Sequence, residues 1–291
     1  MTNRMRVLVA YDGSECADAA LSDLWNAGLR SDTRFKVLSV VEHWLPHPSE
    51  FERIEHIDHN DEHMILAMRA ATRLRSMFPD CEVDVELGAG SPATAIIEKA
   101  DAWAPDLTVV GSHGRMALGR FFFGSVSQKV SHDAHCSVRV CRGHGKEPGA
   151  PVRIMIAFDG SQGGLAAFHA AAARDWPKGS EARVVNAAWT VPPDTSPRTT
   201  GQIIHWFFEE NARVKAAVDD AVGQLNDAGL KAEAVIKEGA PPEVLLAEAE
   251  SWDADTIFLG ARGKGRLERF LIGSVSSAVV SRAHCSVEVS R

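Results

Sequence analysis

Residues 111–127 read GSHGRMALGRFFFGSVS, and residues 260–276 read GARGKGRLERFLIGSVS. Both have the form glycine, two residues, glycine, nine residues, glycine-serine. The first follows an apolar run at 107–110, so the motif reads as a strand that stops at a glycine and enters a loop. Glycine at such a point permits positive φ and lets a ligand approach the backbone without a Cβ in the way. The Gly-Ser that closes each loop opens a stretch with helical spacing. A helix starting there offers free N–H groups and the positive end of its dipole to an anion. Ser125 and Ser274 are read as N-caps or as hydroxyl donors to that anion. Arg115 and Arg120 in one loop, and Lys264, Arg266 and Arg269 in the other, add positive charge. A polyphosphate fits this combination.

Working outward, the rest of the chain repeats as well. RVLVAYDGS at 6–14 returns as RIMIAFDGS at 153–161, which matches Asp12 with Asp159. HDAHCSVRVCR returns as SRAHCSVEVSR, which matches Cys136 with Cys285. The offset is 147 residues at the first match and 149 at the glycine loop and the cysteine, so nearly the whole unit is duplicated. The spacing predicts one domain over residues 1–142, a Gly- and Pro-rich linker at 143–151, and a second domain over 152–291.

In the first copy, strands are expected at 6–10, 35–41, 82–87, 107–110 and 137–140, and helices at 14–29, 59–77, 92–102 and 125–134. Several strands are almost uninterrupted apolar runs, which fits burial on both faces and a parallel sheet. Strands alternating with helices predict a doubly wound α/β domain, in the order 2-1-3-4-5 or 3-2-1-4-5. Ligands of such sheets sit beyond the carboxyl ends of the strands, where the order reverses.

Composition narrows the function. The first 147 residues hold 16 Lys+Arg against 21 Asp+Glu, and the remainder 15 against 18. Both halves are mildly acidic, so a nucleic acid is not the expected partner. Five cysteines (Cys16, Cys81, Cys136, Cys141 and Cys285), an odd number with no CxxC pair, point away from a disulfide framework and toward a reducing, cytoplasmic setting. No run of about 18 uncharged apolar residues suggests a membrane span.

The strand-one aspartate, the glycine loop with its following Val-Ser, and the closing His-Cys-Ser-Val strand together resemble the universal stress protein family in its tandem-domain form. That resemblance implies two five-stranded parallel sheets of order 3-2-1-4-5, flanked by helices, and adenine-nucleotide binding: ATP, ADP or AMP, with Mg²⁺ accompanying the phosphates. Carried over residue by residue, Asp12, Val40 and Val41 border ribose and adenine. Gly111, His113, Gly114, Arg115, Gly124, Ser125 and Val126 hold ribose and phosphates. In the second copy the matching positions are Asp159, Ala187, Ala188, Gly260, Arg262, Gly263, Gly273, Ser274 and Val275. His113 against Arg262 is the clearest difference between the loops, and an always-charged arginine grips phosphate more tightly. The family also implies pairing of the two domains through their last strands, 137–140 and 286–289, pairing of whole chains, and a nucleotide-responsive regulatory role toward a protein partner.

Two alternatives stand beside that reading. One is a slow Mg²⁺-dependent ATPase, with Asp12 and Asp159 holding the metal. No Walker lysine and no obvious general base supports it, and no catalytic residue is assigned. The other is an interaction scaffold that binds no nucleotide. Outside the loops, His56, His59 and His63 would share a helix face as a candidate divalent metal cluster. Cys136 and Cys285 read as structural thiols, Cys16 as the more reactive one, and Trp206, Phe207 and Phe208 as packing or a partner surface.

Overall fold

A computed structural model of the chain describes residues 4–42, 59–112, 124–142, 146–188, 200–263 and 272–291, apart from the side chains of 59 and 200–204. The chain divides into two compact units, Met1–Trp25 with Leu29–Gly145, and Asn26–Gly28 with Lys146–Arg291.

The first unit runs β1 (Arg6–Ala10), α1 (Glu15–Asp23), a 3₁₀ turn (Leu24–Ala27), β2 (Arg34–Val41), α2 (His59–Met77), β3 (Glu82–Ala89), α3 (Pro92–Trp103), β4 (Leu107–Gly111), α4 (Ser125–Asp133) and β5 (Ser137–Cys141). Every strand pairing in it is parallel, and the pairings give the order β3-β2-β1-β4-β5. The second unit runs β6 (Arg153–Ala157), α5 (Gln162–Ala172), β7 (Glu181–Ala188), α6 (Thr200–Asp227), β8 (Lys231–Glu238), α7 (Pro241–Ser251), β9 (Thr256–Gly260), α8 (Ser274–Arg282) and β10 (Ser286–Ser290). Its parallel pairings give β8-β7-β6-β9-β10, the same order.

The apolar runs form central strands because both faces are covered. Val7, Leu8 and Val9 of β1 and Ile154, Met155 and Ile156 of β6 are all buried. In the second unit Ile154, Ile156, Phe158, Phe168, Val184, Val214, Val218, Leu225 and Phe258 make one continuous core between sheet and helices. Prolines at the first turns of α3 and α7 start those helices where an N–H would have no helical partner. α1 is shorter than the 14–29 reading, because the chain tightens into the 3₁₀ turn after Asp23.

In each unit the order reverses between the first and fourth strands. Successive crossovers leave in opposite directions there, which opens a crevice beyond the strand ends. Among the described residues no helix is long and apolar enough to cross a membrane.

Candidate functional site

In the second unit β6 ends at Ala157, and Phe158-Asp159-Gly160-Ser161 turns the chain into α5. The Ser161 amide donates to Asp159 Oδ1 at 2.9 Å, and the Gly164 amide donates to Ser161 Oγ at 3.1 Å. Gly160 takes φ 73°, which favours glycine. The first unit repeats this: Ser14 N–H to Asp12 Oδ1 at 3.0 Å, Ala17 N–H to Ser14 Oγ at 3.1 Å, and Gly13 at φ 74°. Serines cap these helices. The aspartates hold the turn before them, with a carboxylate at the crevice.

The fourth strands end at glycine as the sequence suggests. Gly273 N–H donates to the Ala261 carbonyl at 2.7 Å, returning the chain to the end of β9. Ser276 Oγ then donates to the Gly260 carbonyl at 2.7 Å. The counterparts are Gly124 N–H to Ser112 O at 2.9 Å and Ser127 Oγ to Ser112 O at 3.0 Å. These bonds correct the N-cap reading of Ser125 and Ser274. The return bond holds Gly124 and Gly273 extended in the cap position, and the two serines become the first helical residues. Since glycine supplies no capping side chain, the opening amides of α4 and α8 receive no side-chain cap and keep their capacity for an anion.

Between these ends the second unit encloses a cavity of about 680 Å³, within the range of small-molecule sites. Asp159, Ala187, Ala188, Gly260, Arg262, Gly263, Gly273, Ser274 and Val275 all line it. The sheet order gives it two characters. On the β7 side it is walled by Ala187, Ala188, Pro241 and Leu245; on the β9 side it meets Arg262, Ser274 and the glycine backbone. A ligand with an apolar ring at one end and an anion at the other matches that division. Phe158, Asn186, Pro241 and Leu245 were not singled out from sequence. Phe158 could have been, as the large apolar residue before the turn aspartate. Asn186 gives no such signal; its Nδ2 donates to the Phe158 carbonyl at 2.8 Å.

In the first unit Asp12, Val40, Val41, Gly111, Gly124, Ser125 and Val126 lie at the matching ends of β1, β2, β4 and α4. His113, Gly114 and Arg115 lie outside the described residues. Tyr11 stands where the second unit has Phe158. Its hydroxyl donates to Asp18 at 2.7 Å, and burial, then the Asp18 carboxylate, push its pKa up to about 12.

Of the histidine cluster, His56 and the His59 side chain lie outside the described residues, and His63 Nδ1 is 2.9 Å from Ser39 Oγ. Among the described residues no group of three His, Cys, Asp or Glu could hold a metal ion. None of the five cysteines is in a disulfide. Cys285 and Cys141 are buried, and burial drives the Cys141 thiol well above its ordinary pKa. Cys136 and Cys16 are half-buried, and Cys136 Sγ lies 3.1 Å from Thr108 Oγ1. Trp206 and Phe208 are exposed.

The model of the universal stress protein family matches twice, over residues 3–142 and 152–291. A universal stress protein of Mycobacterium tuberculosis is 26% identical over 98% of this chain and 96% of its own length. One from Synechocystis is 36% identical, but over 30% of this chain, which spans 56% of that relative. In fold, the chain is similar to a universal stress protein structure from Archaeoglobus fulgidus at a TM-score of 0.65, with 21% identity and 98% of each chain covered.

Proposed function

The chain belongs to the universal stress protein family, and on that premise we propose that it is a tandem adenine-nucleotide-binding regulatory protein of the cytoplasm. The supporting observation is the cavity of the second unit. Its apolar wall suits a purine, and its β9 side presents Arg262, Ser274 and the opening amides of α8 to phosphates. Asp159 is the one carboxylate among its described lining residues, and in this reading it meets a ribose hydroxyl or a phosphate-bound Mg²⁺. A single carboxylate fits a metal that is carried mainly by the phosphates. The first unit offers the same strand ends, with Asp12, Gly111, Gly124 and Ser125 in the matching roles.

Binding would bridge the ends of the first, second and fourth strands of a unit and bias the conformation of the intervening loops, a signal a partner can read. Among the described lining residues the one carboxylate, Asp159, already holds the Ser161 amide, which supports a role in binding.

Denaturing the purified protein should release ATP, ADP or AMP. Adding the released nucleotide at about 100 times its Kd should stabilise the fold by about 2.7 kcal/mol. Absence of both released nucleotide and thermal shift would overturn the reading in favour of a scaffold. Mg²⁺-dependent turnover lost in Asp12→Asn and Asp159→Asn would favour the ATPase.

A further inference from the structure

The second site rests on an unusually close backbone contact. Gly163 is the second residue of α5, and a Cβ built on it would lie 1.8 Å from the Arg262 carbonyl oxygen. Gly260 faces it: a Cβ there would lie 2.3 Å from the Gly163 carbonyl carbon. These obstacles are main-chain atoms, which cannot swing aside as a side chain can. The Asp159 carboxylate is bracketed in the same way, with Oδ1 2.9 Å from a Cβ on Gly164 and Oδ2 2.7 Å from one on Gly263. Four glycines thus let the start of α5 and the loop after β9 lie backbone on backbone, with Asp159 between them and Arg262 at the cavity.

The first unit matches only the loop glycines. Gly111 and Gly114 stand for Gly260 and Gly263, but Cys16 and Ala17 replace Gly163 and Gly164. In the first unit Cys16 carries a Cβ at the position that Gly163 leaves bare. Glycine is a poorer helix former than alanine, so the second unit keeps this pair against local propensity.

We propose that Gly163 is a positioning residue that seats the backbone of Arg262 and so sets the nucleotide affinity of the second site. The affinity part rests on the nucleotide reading; the seat itself does not.

The test uses the full chain with backbone amides followed one by one. Gly163→Ala and Gly163→Cys are compared with wild type and with Gly223→Ala, a position near the C-terminal end of α6 with open space around it. Hydrogen exchange at Arg262 and Gly263 reads the seat. ATP titration read at Gly263 and Gly273, against Gly111 and Gly124, reads each site separately.

Both Gly163 variants should speed exchange at Arg262 and Gly263 by about tenfold or more while leaving the β6 and β9 core amides protected. They should weaken ATP at the second site by about tenfold, equivalent to 1.4 kcal/mol, and leave the first unchanged. Gly223→Ala should do neither. Unchanged exchange overturns the seat. Faster exchange with unchanged affinity overturns the link to binding. If wild-type amides do not respond to ATP, the nucleotide reading fails and the affinity claim with it, while exchange still decides the seat.

Discussion

The two units share their strand order and crevice, yet they solve the same packing problem with opposite charges. Arg139 on β5 and Glu288 on β10 occupy matching positions, and both are fully buried. In the first unit Arg139 Nε donates to Asp23 Oδ2 of α1 at 2.9 Å. In the second, Arg174 Nη2, just after α5, donates to Glu288 Oε1 at 2.6 Å. A second exchange lies beside a repeated tryptophan. Lys36 sits over Trp103, and Arg183 over the matching Trp252. The cation is held by Glu86 of β3 in one unit, and in the other by Glu233 of β8 together with Glu248 of α7, which stands where the first unit has Lys99. The fold requires the buried pairs, Arg139 with Asp23 and Arg174 with Glu288, to be neutralised and leaves the sign open. The crevice is less permissive: its turn aspartates, capping serines and Gly-Ser returns are the same residues in both.

The largest effect should come from breaking one buried pair. Arg139→Met leaves Asp23 buried with its main partner removed, and should destabilise the protein by about 3–5 kcal/mol in denaturant unfolding. Adding Asp23→Leu should restore most of that loss, since an apolar pair of similar volume is often neutral or better. If the single variant cost no more than a surface substitution, the fold would not depend on neutralising Asp23.

A smaller effect tests the opposite expectation, that the crevices are equivalent where their residues are the same. Ser14→Ala and Ser161→Ala each remove an N-cap with nearly the same geometry. Each should cost about 1 kcal/mol, read as faster exchange in the first turn of α1 or of α5. A clear inequality between the two would show that the glycine contacts at Gly163 and Gly164 already carry the cap's role in the second unit.

Much of this is legible in the sequence. The apolar runs gave the strands, 59–77 is the span of α2, and the crevice glycines and aspartates follow from the duplicated motif. What escapes depends on distance or on main-chain geometry. Asp23 and Arg139 are 116 residues apart, and no periodicity says that a helix and a last strand bring them together. The shift of the cap from Ser125 to Gly124 is decided by one return hydrogen bond. The contact at Gly163 has a trace, two adjacent glycines opening a helix, but its meaning needs the position of the Arg262 carbonyl.

The two units should also differ, by a smaller amount, in their response to pH. Glu86 is pushed upward by partial burial, but hydrogen bonds and charge from Lys99 and Lys36 outweigh this and leave its pKa below the ordinary value. An unfolded-state glutamate titrates near pH 4.3. A carboxylate depressed in the folded state therefore adds stability that is fully present above that pH and is lost as pH falls through its folded pKa. Glu86 is about one-third exposed, so solvent and salt screen the pair, and the effect should be about 0.2–1 kcal/mol. Between pH 5 and pH 3, β2 amides should lose protection more steeply in wild type than in Glu86→Gln. The gap should narrow as salt is raised, and the β7 amides should show no difference between the two proteins. Parallel pH curves for β2 would mean that the cation over Trp103 is held by the ring and by Lys36's own packing, and that the first unit does not need its carboxylate on β3.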